Sequence, residues 1–421
     1  MHEALSQHRD FRMVLQRVSK GDALRIDERL CLMESNVNSR FGEERSFERI
    51  EGGHLTASSW ENVYVSALEQ AEYYICNNAE LLAALDIREG VLPELKPLGM
   101  GEHNQNYWFA HPATGEKFVL RVNVAAQPFH DDQVAYEFAA LEALAKSGRV
   151  PRPAYLDNSS AALEKGVLVE SFCEGDMLDF DHLRPGDLRC AAQIMADVHA
   201  ADVPCGCSLH KPVDPLRGLM EECVERFEFY RRSAFEDARI TVWTSRFLEA
   251  SQRALETAPP PRDCAHIVNT ETLPSHFLIP EVSALQAAAN DATSGVFCEK
   301  PGYFVDWERP IVGEVAQDVA YFVSPTTTFW DSEYLFPTSG IDSFVEDYWR
   351  AVDGRFERDG FDERFQPWLM MTALRSTTWC CRALVTYNDP SVHKTEKTAQ
   401  KLPVYLSDDF MEMLADEIFH L

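Results

Sequence analysis

Two acid-bearing segments carry the chemistry this chain could do. In Gly302-Tyr303-Phe304-Val305-Asp306-Trp307-Glu308-Arg309-Pro310, an apolar strand-like run ends on Asp306, with Gly313 and Asp318 following. A carboxylate fixed where a buried strand stops, with a loop beyond it open to ligand, suits a metal ion. Upstream, Ile267-Val268-Asn269-Thr270-Glu271-Thr272-Leu273-Pro274-Ser275-His276-Phe277-Leu278-Ile279 reads as a strand, a polar loop holding the single acid Glu271, and a second short strand.

Together the two segments resemble the catalytic loop and metal loop of the aminoglycoside phosphotransferase and choline kinase family, small-molecule kinases on the protein-kinase fold. The family's first loop has the pattern H-x-D-x-x-x-x-N followed by an apolar triplet. Here the spacing and the triplet Phe277, Leu278, Ile279 are kept, while Asn269 stands at the His position, Glu271 at the Asp and His276 at the Asn. Asp306-Trp307-Glu308 matches the second loop. The resemblance implies Asp306 and His276 as metal ligands for Mg2+ or Mn2+, Glu271 as general base with Asn269 beside it, and ATP or GTP as phosphoryl donor. A glutamate accepts a proton as an aspartate does, but its extra methylene moves the carboxylate by more than about 1 Å, which matters to transfer geometry. Imidazole suits softer ions than magnesium does.

The elements that must position these loops follow the same pattern. Residues 95–122 read as strand, glycine turn, strand, turn and strand; Ala135 to Lys146 reads as a helix; Gly166 to Gly175 resembles the last small-lobe strand and the hinge. Gly99 and Gly101 would let backbone N–H groups approach phosphates. Arg121 stands where the fold has its phosphate-pairing lysine, with Lys117 on the same strand face as a substitute and Glu137 on the next helix as the ion-pair partner. By the same resemblance Asn104, Glu170 and Phe172 line the nucleotide site. Glu308 and Asp318 are expected to anchor the loop and a helix start, and Glu142 to face solvent.

The expected architecture is α+β and kinase-like: an N-terminal, partly helical extension (1–94), a small antiparallel β lobe with its hinge (95–175), and a larger helical lobe (176–421). In the extension, Ser59 is a plausible cap for a helix with apolar residues at Val63, Val65, Leu68, Ala71, Tyr74 and Ile75. The first 50 residues are charged and poorly periodic, an arm on the small lobe or a mobile extension. Residues 188–200 and 216–256 read as helical. An insert at 281–300 lies near the expected site mouth.

Composition sets outer bounds. With 421 residues and 45% apolar content, the chain can bury substantial cores. Acids outnumber bases by 68 to 39, a net charge of −29. That field repels phosphate backbones and anionic lipids, which argues against nucleic-acid or membrane-surface partners and mildly favours a cationic small-molecule substrate. No run approaches membrane-span length and the start lacks an apolar signal core, so a cytoplasmic protein is expected. The eleven cysteines read as reduced thiols. Cys205, Cys207 and His210 lack an evident fourth ligand for a metal. Phosphoryl transfer to a small hydroxyl acceptor is the leading function; a nucleotide-binding pseudokinase and a nucleotidyl transferase are the alternatives.

Overall fold

The computed structural model describes residues 57–421 except 89–90, 101–103, 125–131, 160–162, 164–165, 262–264, 282–301 and 390–395. Gly101, the first 50 residues and all of the 281–300 insert except Glu281 lie outside the described residues. The described chain opens with α1 (Ala57–Asn77) and α2 (Ala79–Ala84). Ser59 lies inside α1, so it is not the cap the sequence suggested. Asn78 caps α2, its side chain accepting from the Leu81 N–H.

The small lobe is a sheet of β1 (Lys96–Met100), β2 (Asn104–Ala110), β3 (Lys117–Asn123), β4 (Pro153–Asp157) and β5 (Val167–Ser171). Its order is β1-β2-β3-β5-β4, and each neighbouring pair is antiparallel. Strand alternation sorts its side chains onto two faces. One face carries Tyr107, Phe109, Phe118, Leu120, Val122, Val167 and Val169 into a core closed by Ala71, Tyr74, Ile75, Leu81 and Leu82 of the two helices. Phe109 and Leu120 are wholly buried there, and side chains of this kind each contribute about 1.5–3 kcal/mol. The Tyr74 hydroxyl donates to Asp157 Oδ2 at 2.7 Å, tying helix to strand. The other face carries Asn104, Trp108, Arg121 and Glu170, set by the register pairs Asn104–Asn123, Asn106–Arg121 and Val119–Glu170. Helix α3 (Gln133–Leu144), capped by Asp132, lies against this face.

A short strand, β6 (Asp176–Met177), leads into the large lobe. There α4 (Asp187–His199), α5 (Pro215–Arg231) and α6 (Ala238–Thr257) precede β7 (His266–Val268), β8 (Phe277–Ile279), β9 (Tyr303–Phe304) and β10 (Ile311–Gly313). The helical run read over 216–256 is thus two helices: Asp214 caps the first, and Asp237 starts the second by accepting from the Arg239 and Ile240 N–H groups. Helices α7 (Val315–Val323), α8 (Pro325–Asp331), α9 (Thr338–Val352), α10 (Phe361–Thr386), α11 (Glu396–Tyr405) and α12 (Asp408–Leu414) complete the lobe. Its core runs through Phe247, Phe277, Phe304, Phe322, Tyr348 and Trp368, all essentially buried.

What matters for function is how the short strands pair. β7 pairs with β10, and β8 pairs with both β6 and β9. Residues 269–276 and 305–310 are therefore two loops gripped at both ends by the same small set of strands. Gly302 makes the grip possible: a Cβ there would lie 2.6 Å from Ile194 Cδ1 and 2.9 Å from Leu278 O.

Candidate active site

The first loop is hung on Asp318. Its carboxylate, wholly buried near the start of α7, accepts from the backbone N–H groups of Asn269 (2.7 Å) and Thr270 (2.8 Å). It also lies 3.2 Å from His199 Nε2, while His199 Nδ1 meets the Tyr348 hydroxyl at 2.9 Å. Burial lowers the proton affinity of His199, against the hydrogen bond and charge of Asp318. The turn is tight: Thr270 holds φ +72° and Asp306 φ +66°, left-handed values uncommon outside glycine and characteristic of constrained loops. Asn269 joins the loops, donating from Nδ2 to the Asp306 carbonyl at 2.8 Å and accepting the Glu271 N–H on Oδ1 at 3.1 Å. Its observed role is to set the loops' register.

Asp306 points between two cationic-capable groups, Arg121 Nη2 at 3.3 Å and His276 Nε2 at 3.3 Å. Arg121 is the electrostatic centre of the cleft. It lies 3.1 Å from Glu137 Oε2 and 3.6 Å from Glu308 Oε1. Burial works against its charge, but Glu137, Glu170, Asp306 and Glu308 outweigh it and hold the guanidinium protonated. The acids bear the cost. Burial pushes the Glu170 carboxyl up to about 7, with Arg121 opposing and Asp306 adding repulsion. Burial likewise raises Glu137, against Arg121 and with Glu308, Asp306 and Glu170 reinforcing it. Four carboxylates thus act on one guanidinium, Glu137 and Glu170 buried and Asp306 partly open to solvent.

Glu271 is held differently. Arg375 bonds it from α10 and also donates to the Thr270 carbonyl at 3.1 Å; Arg309 approaches at 3.4 Å. Burial alone would raise this carboxyl, but Arg375 and Arg309 bring it below the ordinary glutamate range. His276 follows the loop; its Nδ1 is buried with no hydrogen-bond partner among the described residues.

The other expected site residues are spread over both sides of the cleft. A Cβ on Gly99 would meet nothing within 4 Å, so the backbone there is open. Asn104 is buried and spends its amide within the protein, donating to Glu308 Oε1 at 2.6 Å and accepting from Asn123 at 3.1 Å. Phe172 lies 6.0 Å from Trp108 at the strand end of the hinge, with Lys117 above both rings. Lys117 itself pairs with Glu174 at 2.8 Å, at the far end of β3 from Arg121. Glu142 is exposed. Cys205 is exposed and Cys207 partly so; among the described residues no group of three or more His, Cys, Asp or Glu forms a metal cage. Sequence reasoning missed Arg309 and Arg375. Arg309 sits three residues after Asp306 and was within reach of a motif argument; Arg375 lies mid-helix, where nothing in the local sequence marks it.

A five-stranded antiparallel lobe joined through a hinge to a helical lobe, with two strand-clamped acidic loops at the junction, is the two-lobed protein-kinase-like fold. Three solved structures bear this out. A spectinomycin phosphotransferase solved with ADP and spectinomycin is 12% identical, with 81% of this chain and 98% of that one covered at a TM-score of 0.53. A putative aminoglycoside phosphotransferase from Ralstonia eutropha is 13% identical over 81% and 98%, at 0.55. Plasmodium vivax ethanolamine kinase is 12% identical over 86% and 97%, also at 0.55. The family is more particular: residues 94–264 match the phosphotransferase enzyme family. That match, from the small lobe through α6, supports the resemblance read from the two loops, and both loops lie beyond its end. No curated protein matches the chain in sequence. Among the described residues no helix is long and apolar enough to cross a membrane.

Proposed function

We propose that this protein transfers a phosphoryl group from ATP or GTP to a hydroxyl of a small molecule. The observation that carries the reading is the convergence, in one cleft, of Asp306, Arg121 and a Glu271 loop hung on buried Asp318. Charge is what favours a divalent cation: Asp306, Glu308, Glu137 and Glu170 all act on the one Arg121 guanidinium, while among the described residues no three acids or histidines stand ready as a cage. Asp306 would hold Mg2+ or Mn2+, with the imidazole of His276 favouring the softer ion. A bound ion would supply neutralisation of phosphate charge. Arg121 would pair with the phosphates, the backbone at Gly99 would approach them, and Phe172 would face the base. Glu271 would orient the acceptor hydroxyl and take its proton.

A second reading, nucleotide binding without transfer, draws on one observation: Arg375 and Arg309 already occupy the Glu271 carboxylate. Melting of wild type and Asp306→Asn with ATP or GTP, each with Mg2+ or Mn2+, tests the site. Stabilisation by metal–nucleotide that is lost in Asp306→Asn supports it; no stabilisation by any combination removes the phosphotransferase reading. Product analysis then separates the chemistries. A kinase forms nucleoside diphosphate only with acceptor, a nucleotidyl transferase releases pyrophosphate, and a pseudokinase does neither.

A further inference from the structure

Where α3, α4 and α9 come to an end, a cavity of about 570 Å³ opens that shares no residue with the candidate active site. Its charged wall comes from three segments. Lys146 and Arg149 follow α3, Asp197 and Asp202 lie in and just after the last turn of α4, and Arg355 follows α9. Two of these groups are fully used. Asp197 spends one carboxylate oxygen on Arg149 Nε at 2.8 Å and the other on Arg355 Nη1 at 2.7 Å. Arg355 also donates to the carbonyls of Ala351 at 2.7 Å and Val352 at 3.0 Å, so it answers the C-terminal carbonyls of α9. The donors beside it are not used up. Beyond Asp197, Arg149 reaches only the Gly302 carbonyl, 3.5 Å from Nη1, and its Nη2 has no acceptor among the described residues. That side chain is only 11% exposed and lines the cavity. Lys146 is exposed and likewise has no acceptor among the described residues. Ser147 Oγ accepts the Arg149 N–H at 3.1 Å, which leaves its own O–H to donate. The turn after α3 does not need these donors, because the Gly148 N–H already answers the Ala145 carbonyl at 3.2 Å. Asp202 is exposed and bonds to neither base.

We propose that this cavity is a second binding site, for a small anion whose phosphate or carboxylate group is held by Arg149, Lys146 and the Ser147 hydroxyl. Its volume is that of a small-molecule site. The unspent edge of the Arg149 guanidinium offers N–H donors to an anionic oxygen, and Lys146 adds a mobile ammonium from the rim. The main chain of Arg149 carries the site to the metal loop. Its carbonyl accepts the Phe304 N–H at 2.7 Å, and Phe304 stands two residues before Asp306. An anion that fixes Arg149 therefore also steadies β9, the strand that ends on the candidate metal ligand. The ligand is an effector and not the acceptor, since the cavity and the cleft have separate walls. An effect on nucleotide binding rests on the phosphotransferase reading; the anion site does not.

The test is melting and amide exchange of the full chain with inorganic phosphate and with succinate, and with ethanolamine and glycerol as cationic and neutral probes, at matched ionic strength and without nucleotide. Wild type, Lys146→Glu and Arg149→Gln are compared. At least one anion is expected to raise the wild-type Tm by several degrees and to slow exchange across residues 303–306. Each variant is expected to lose most of both effects, and the cationic and neutral probes to produce neither. A response to phosphate alone assigns a phosphate-bearing ligand, and a response to succinate alone a carboxylate. No response to either anion, equal stabilisation by ethanolamine, or an undiminished anion response in Lys146→Glu overturns the proposal. Lys146 is exposed and makes no bond, so its charge reversal decides the test even if Arg149→Gln fails to fold. If wild type answers to anion but shows no metal–nucleotide stabilisation, the phosphotransferase reading fails and the anion site stands.

Discussion

Glu170 offers the sharpest quantitative test of the acid cluster. Its carboxyl is raised from 4.5 to about 7, and the residue is 7% exposed, so solvent does little to screen it. Between those two values the folded protein keeps a proton that the unfolded chain has lost. Folding stability therefore falls as pH rises from about 4.5 to about 7, and the whole penalty is present above 7. At about 1.36 kcal/mol per tenfold change in proton affinity, that penalty is about 3 kcal/mol. Glu170→Gln removes the titration while preserving shape, and Arg121 keeps Glu137, Asp306 and Glu308 as partners. The variant should match wild type near pH 4.5 and exceed it by about 1–3 kcal/mol at pH 8, measured by urea unfolding without metal across that range. Added Mg2+ or Mn2+ should narrow the gap, because a cation offsets the same charge. Parallel curves, or a variant less stable than wild type at pH 8, would refute the charge-surplus argument.

Three further outcomes follow from contacts already described. Asp318→Asn leaves two loop N–H groups facing an amide in a buried site and should cost about 3–5 kcal/mol in denaturant unfolding, with nucleotide response lost alongside. Arg375→Gln frees Glu271 from the stronger of its two restraints, so the Glu271 pKa should rise and the acid limb of any pH–rate profile should move to higher pH. Because that carboxyl is depressed in the fold, the wild-type stability advantage should be present above about pH 4.5 and close as pH falls further, which unfolding curves at pH 3 and pH 7 would show. Phe247→Ala empties a ring stacked 4.2 Å from Phe419 in the large-lobe core and should cost about 3–5 kcal/mol with no change in metal preference, read by melting with Mg2+ and Mn2+.

The loops were legible where an apolar run and a polar residue meet at a fixed place. Tyr303-Phe304-Val305 before Asp306, and the triplet after His276, mark strand ends that any buried sheet must have. The small lobe was readable for the same reason, since Phe118, Leu120 and Val122 alternate with Val119 and Arg121. Legibility stopped where contacts span long separations. The sequence places Glu137 beside Arg121, but that Glu170 and Glu308 gather on the same guanidinium, and that Glu308 takes an Asn104 N–H, shows only in the fold. Depth decides their chemistry, and depth is a property of the packed sheet rather than of any window of residues. Arg375 was invisible because a helix of 26 residues offers no punctuation at its fifteenth position. The helix break near residue 232 was missed because helical apolar spacing continues on both sides of a short capped turn.

The two helices laid across the back of the small sheet bear on where this protein can be cut. The family match opens at residue 94, just after them, yet Tyr107, Phe109, Phe118, Leu120 and Val169 depend on Tyr74, Ile75, Leu81 and Leu82 for cover. A shortened chain starting at Lys96 would bare a ribbon of aromatic and branched side chains to water. Such a surface recruits other copies before it reaches any nucleotide. For expression, for domain exchange with relatives and for protease mapping, the working start of the small lobe is therefore α1: the stretch that bears the family's pattern and the stretch that folds begin at different residues.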